Sequence, residues 1–332
     1  MSTLPSLMDR PSEAVRLSDG LSPTPLRLSR PGPSASKMPL KTSYYGYTPT
    51  ESVCILFIVL FGISSALHLL QATRYRLWWL FPTVILCSLL ETLGWSARLW
   101  SSLNVMAPHP FEIQLIVTIC APTPLAAANF TLLGTIILRL GPMYSRLGPR
   151  SYTTIFLICD VLSLFVQGIG AGVAAKEVIN LKSPKLGSHI MLTGIVLQLV
   201  TIFVYALCAS EFLWRFLTHR PLAKHTKSLP TFPSLPAPLT RRQKTMIAGM
   251  AFNLLCLFIR AVYRVIELKE GFRGRIIQTE VYFSVLDGGM ITLAIFTFNV
   301  AHPGFLLYRV PEEERLERKD LEMEGDVKGL AV

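Results

Sequence analysis

Ionisable side chains are scarce in this sequence. Only 16% of its 332 residues are Asp, Glu, Lys or Arg, where a soluble domain carries about a quarter. A Walker-type phosphate loop, a G-x-S-x-G elbow and a C-x-x-C pair are all missing. Their absence argues against nucleotide hydrolysis, α/β-hydrolase chemistry and dithiol redox work. There is no H-x-x-x-H or H-E-x-x-H pair, and His68, His189 and His302 stand apart in the sequence, so no metal is expected. The six cysteines, Cys54, Cys87, Cys120, Cys159, Cys208 and Cys256, fall one to an apolar block. That spacing excludes a local zinc knuckle and speaks against a disulfide framework. Nor does the chain open with a basic start and an apolar stretch, so the first apolar block is expected to direct insertion itself.

What the sequence has in abundance is apolar residues, 51% of the chain, and a mean hydropathy of +0.45. They are grouped into blocks of roughly 20, the length that crosses about 30 Å of hydrocarbon at 1.5 Å per residue. The pattern predicts an all-α membrane protein, a bundle of seven spans at about 50–70, 77–99, 113–138, 152–174, 189–214, 245–266 and 280–301. Trp78, Trp79 and Trp214 mark span ends. Residues 1–46, rich in Ser and Pro, read as a disordered tail, 47–306 as the membrane domain and 307–332 as a charged flexible tail. The 215–243 connection is proline-rich between Pro221 and Pro238 and reads as an extended loop.

Orientation follows from the basic residues. Odd-numbered loops hold Arg74, Arg76, Arg139, Arg146, Arg150, Arg215, Arg220, Lys224, Lys227, Arg241 and Arg242. Even-numbered loops hold Lys176, Lys182, Lys185, Lys269, Arg273 and Arg275. The positive-inside rule then places the N-terminus outside and the C-terminus in the cytosol. The formal charge of +11 is accounted for by loops that face anionic head groups, without nucleic acid.

Charges inside such spans cost about 2.5–3.5 kcal/mol each at the bilayer centre, so they need partners or water. Glu91 and Arg98 lie two turns apart with Gly94 between them; Asp160, Ser163 and Gln167 form one stripe, followed by Gly168, Gly170 and Gly172. Gly194 and Gln198 are four apart. Arg260, Arg264 and Glu267 share a stripe in the sixth span, as do Glu280 and Asp287 in the seventh. In the predicted orientation these stripes run from mid-membrane toward the non-cytosolic side, and the expectation is one shared hydrophilic chamber. Arg98, Glu267 and Glu280, close to span ends, are the members able to face water instead. The acids outnumber the bases, and spare carboxylates in low dielectric hold protons or attract a cation. A lipid with an amine head and an apolar tail suits that chemistry. The only N-x-S/T sequon, at Asn129, lies within a span and is discounted.

In their order and spacing these residues resemble the fungal lipid-translocating exporters of the resistance-to-aminocholesterol type. The resemblance covers about Tyr47 to Gly304. It rests on Tyr47-x-Pro49, Glu91-x-x-Gly94-x-x-x-Arg98, Ala121-Pro122 with Ala126-Ala127, and Asp160-x-x-Ser163-x-x-x-Gln167-x-x-Gly170. Gly194-x-x-x-Gln198, Tyr263-Arg264-x-x-Glu267, Gly271, Glu280, Asp287 and His302-Pro303-Gly304 complete it. Trp95, Asn129-Phe130 and Ser284 depart from the family pattern at positions where a Tyr is usual, which bears on the ligand more than on the fold. The resemblance implies seven spans, export or leaflet translocation of sphingoid long-chain bases or similar amphiphiles, and resistance to toxic lipids or drugs.

The expected protein is therefore a multi-pass transporter of the plasma membrane, with an endomembrane as the alternative location, not an enzyme, without cofactor, metal or nucleic-acid partner. Its expected substrate-binding residues are Glu91, Arg98, Asp160, Gln167, Gln198, Arg260, Arg264, Glu267, Glu280 and Asp287. The alternative reading is a seven-span stress sensor that moves nothing. A lipid hydrolase built on Ser163 and Asp160 ranks last, because no spacing enforces a triad.

Overall fold

The computed structural model describes residues 44–222, 239–271 and 274–308. Most of both tails, most of the long connection including Lys224 and Lys227, and Arg273 lie outside the described residues. Among the described residues there are seven helices of membrane-crossing length and no strand. They are α1 (Glu51–Tyr75), α2 (Trp78–Leu103), α3 (Pro108–Leu140), α4 (Pro149–Ile179), α5 (Lys185–Leu217), α6 (Arg241–Glu270) and α7 (Glu280–Leu307). Each expected span is present, and most are longer than the apolar block that announced them.

Local chemistry sets the helix ends. Pro108 and Pro149 open α3 and α4, where the missing N–H costs nothing. Thr240 and Gln243 form a reciprocal capping box at the start of α6. Gly271, at φ +75°, ends that helix in a conformation that side chains with a Cβ resist.

Three helices are interrupted. α2 begins with tight and wide turns around Pro82. α3 breaks at Ala121, before Pro122 and Pro124. In α7 a π turn spans Ser284–Gly289 and carries Asp287.

The bundle turns many of its apolar residues outward. On α4, Ile158, Leu162, Phe165 and Ile169 are exposed, whereas Asp160, Ser163, Gln167 and Gly170 on the opposite face are buried. That is the arrangement expected when the surrounding solvent is hydrocarbon. α4 and α5 pack closely, because small residues let their backbones meet. A Cβ added to Gly170 falls 2.3 Å from Met191 N, and one added to Gly187 falls 2.2 Å from Ala174 N. α3 is the most enclosed of the seven helices.

The packed chain reaches back to Tyr44, into the stretch expected to belong to the tail. Tyr44 stacks on Phe111 with ring centroids 5.5 Å apart, and Tyr45 meets the same ring edge-on at 5.1 Å.

Candidate functional site

The most heavily charged part of the core lies between α6 and α7. Arg264 holds Asp287 with two bonds, Nε to Oδ1 at 2.7 Å and Nη2 to Oδ2 at 2.8 Å. Its third nitrogen, Nη1, donates to Glu267 Oε2 at 3.0 Å, and the Tyr263 hydroxyl donates to Glu267 Oε1 at 3.0 Å. Arg260 Nε lies 2.9 Å from Asp287 Oδ1, while Nη2 donates to the carbonyl oxygen of Thr118 on α3 at 2.7 Å. All these side chains are buried. A planar guanidinium suits such multiple pairing, which an ammonium cannot reproduce.

Across the Phe283 ring, Arg98 of α2 donates to the Tyr47 hydroxyl at 2.5 Å and pairs with Glu280 Oε1 at 3.3 Å. The rings of Phe283, Tyr45, Tyr47 and Trp95 surround its guanidinium at 4.5 to 5.6 Å. Phe283 also faces Arg264 at 5.1 Å and so stands between the two cations. Glu280 in turn accepts from the backbone N–H and hydroxyl of Thr50, at 2.9 and 2.6 Å. Arg98, Glu267 and Glu280, able by position to face water, are instead drawn into the protein, with side chains 2%, 3% and 16% exposed.

A second group joins α3, α4 and α5. Gln198 Nε2 donates to Asp160 Oδ1 at 2.9 Å and to Thr123 Oγ1 at 3.1 Å. Its oxygen accepts from Gln167 Nε2 at 3.2 Å. No hydrogen bond or ion pair among the described residues joins this amide group to the ionic one. The single chamber expected from the sequence is thus two polar groups. α3 touches both, through Thr118 and Thr123 on either side of its break.

Of the five acids, three are paired with arginine: Asp287, Glu267 and Glu280. The surplus therefore sits on Glu91 and Asp160. Asp160 keeps one amide donor and leaves Oδ2 without a partner. Glu91, fully buried, makes no aligned hydrogen bond at either oxygen among the described residues, and the Trp95 indole N–H is the donor that acts on it.

Open space near these groups is unequal. A cavity of about 40 Å³, room for a few waters, lies beside Arg98, Arg264 and Glu267 and is covered by Tyr44, Tyr45 and Tyr47. A wider cleft of about 530 Å³ opens between the start of α5 and the end of α6, next to Lys185, His189, Lys269 and Glu270. The latter is in the size range of small-molecule sites.

Two further polar contacts escaped the sequence reading. Asn129 Nδ2 donates to Asn253 Oδ1 at 2.6 Å, and Asn253 donates to the carbonyl of Ala294 at 2.6 Å, linking α3, α6 and α7. His68 and His302, apart in sequence, bring their rings within 6.5 Å. The Ser163 hydroxyl donates to Cys159 O within its own helix.

Residues 84–309 match the family model described as RTA1 like protein. The chain belongs to this family. All ten expected binding residues fall within the matched segment. The chain is similar to the sphingoid long-chain base transporter RSB1 of Saccharomyces cerevisiae (strain Lalvin EC1118), 29% identical over 286 residues, which cover 79% of this chain and 74% of the relative. Protein RTA1 of the same species is 25% identical over 306 residues, covering 85% and 91%. The lipid-translocating exporter-like protein RTA1 of Leptosphaeria maculans is 24% identical over 294 residues, covering 82% of this chain and 53% of that protein. No solved structure matches.

Proposed function

We propose that the protein moves amphiphilic lipids, of the sphingoid long-chain-base type, across or out of the membrane, and so protects the cell from toxic lipids and drugs. The observation that carries this reading is the charge account of the core, five acids drawn into the protein against three arginines. A cationic head group passing through such an interior meets spare carboxylates, while the apolar tail stays against the outward-facing Leu, Ile and Phe side chains. The names of the relatives, a long-chain base transporter and a lipid-translocating exporter-like protein, support the same reading. They do not favour a sensor that moves nothing.

In this proposal the head-group path is formed by Glu91, Arg98, Asp160, Gln167, Gln198, Arg260, Arg264, Glu267, Glu280 and Asp287. The cleft at Lys185 and Lys269 lies at the same end of α6 as the ionic group and serves as its vestibule. In this reading the N-terminus faces outward and the C-terminus the cytosol, which the loop charges support, and the membrane is the plasma membrane, in keeping with the transporter relatives. The lipid is carried and not chemically converted.

Reconstitution tests the proposal. Purified protein in liposomes is expected to accelerate leaflet exchange of a labelled long-chain base over protein-free vesicles, and a neutral ceramide-like lipid much less. Equal rates with and without protein for every amine-bearing lipid reject it.

A further inference from the structure

Glu91 is, among the described residues, the one fully buried carboxylate with no aligned hydrogen bond at either oxygen; the indole N–H of Trp95, itself without an aligned acceptor, is the donor that acts on it. Its surroundings are balanced without it. Asp287 and Glu267 match Arg260 and Arg264, and Glu280 matches Arg98. An ionised Glu91 therefore adds a negative charge that no aligned hydrogen bond or ion pair among the described residues compensates, the situation a bilayer interior tolerates least. Asp160 differs, because Gln198 donates to it.

The groups around Glu91 are arranged to respond to its charge. Asp287 of α7, Arg260 and Arg264 of α6 and Cys87 of its own helix act on it electrostatically. The Trp95 indole N–H, one turn further along α2, acts on it as well, whereas Cys54 of α1 and Cys120 of α3, helices also packed on α2, lie in the fields of Arg98 and Arg260. Arg260 has slack. Its Nε is near Asp287 Oδ1 yet has no aligned acceptor, whereas Arg264 holds the same carboxylate with two aligned bonds. One turn after Glu91, Trp95 leads to Phe283 at 5.5 Å, and Phe283 lines the small cavity.

We propose that Glu91 holds a proton in this enclosed arrangement and exchanges it for the ammonium group of the lipid, so that each cationic amphiphile moves against one proton. The inference rests on the lipid-moving function above. The exchange balances: the carboxyl O–H gives its proton to water, and the carboxylate left behind pairs with the incoming ammonium, one positive charge replacing another. Proton and ammonium together would leave the core with an excess positive charge, so occupancy by one excludes the other. That exclusion couples lipid movement to a proton gradient without a nucleotide-hydrolysing domain.

The test uses the full chain in liposomes with the membrane potential clamped to zero and an imposed pH gradient. The probe is a fluorescent long-chain amphiphile bearing a quaternary ammonium, which cannot itself carry a proton. A labelled primary-amine long-chain base is run beside it. Wild type is expected to accumulate the quaternary probe about tenfold per pH unit, the ratio a one-for-one exchange sustains, and Glu91→Gln to abolish that accumulation. Lipid movement by wild type that ignores the gradient, or gradient-driven accumulation that persists in Glu91→Gln, overturns the inference and leaves the transport reading standing. Failure of wild type to move either lipid overturns both. Infrared spectroscopy of the purified protein gives a readout independent of transport. A protonated-carboxyl stretch is expected in wild type, absent in Glu91→Gln and shifted in Glu91→Asp. If Glu91→Gln does not fold, an unshifted band in Glu91→Asp overturns the assignment.

Discussion

Arg260 Nη2 donates to the carbonyl oxygen of Thr118 across 2.7 Å, four residues before Pro122. In an unbroken helix that oxygen accepts from the N–H of residue 122, which proline lacks. The acceptor freed by the break in α3 is the one that receives a buried cation from α6. A defect in one helix and a charge in another are thus complementary. The same break leaves Thr123, one residue past Pro122, to receive Gln198.

The Arg264 pairing predicts a charge-dependent pattern of stability. Arg264→Met leaves Asp287 and Glu267 with Arg260 alone, and an uncompensated buried charge costs about 3–5 kcal/mol. The expected result is a large fall in the melting temperature of the detergent-purified protein. Adding Asp287→Asn removes the surplus charge, so the double variant is expected to melt above Arg264→Met. A double variant that melts lower refutes this account.

Close helix approach predicts opposite responses from two glycines on α4. Gly170→Ala drives a Cβ into the backbone of Met191 and is expected to destabilise by about 1–3 kcal/mol. A Cβ added to Gly168 meets nothing within 4 Å. Gly168→Ala is expected to be neutral or to stabilise by up to about 1 kcal/mol. Paired thermal melts decide between them.

The amide group separates binding from architecture. Asp160→Asn keeps the shape of the side chain and an oxygen that accepts from Gln198, so the fold is expected to survive. Lipid movement is expected to fall by about tenfold, the equivalent of 1.4 kcal/mol. Gln198→Leu strips the donor from Asp160 and the acceptor from Gln167, and is expected to lower stability itself by about 1–3 kcal/mol. Asp160→Asn with normal yield and unchanged transport removes Asp160 from the head-group path.

Tyr45, before α1, gives the alkaline limb of stability. Burial, outweighing its bond to Ser101 and the charge of Arg98, pushes its phenol from 10.0 up to about 12. Between those values the unfolded chain has lost the proton and the native one has kept it. Stability therefore falls as pH rises through that window. Tyr45→Phe is expected to flatten this part of the melting-temperature profile, and an unchanged slope contradicts the placement of Tyr45.

The spans were legible because apolar blocks and their lengths report directly on the hydrocarbon they cross. The stripes were legible for the same reason, since Asp160, Ser163 and Gln167 have nowhere to go but inward. Pairing was not. That Asp287 joins Arg264, while Glu280 seven residues earlier joins Arg98 and Thr50, depends on which helices are neighbours and on the π turn that carries Asp287. The Gly288-Gly289 pair was the only trace of that turn in the sequence. Asn253 escaped because a lone amide in an apolar run carries no charge to draw notice, and Asn129 was set aside as an unusable sequon. Tyr44, Tyr45 and Tyr47, an aromatic cluster after a Ser- and Pro-rich stretch, were the signal that packing begins before α1.

Glu280 receives both the backbone and the side chain of Thr50, so the first and last helices of the bundle begin at one shared knot. Arg98 is tied into it as well. A rearrangement that parts α1 from α7 must therefore also release the guanidinium from its ring of aromatics. The bundle's seam and its buried cation open together or stay shut together.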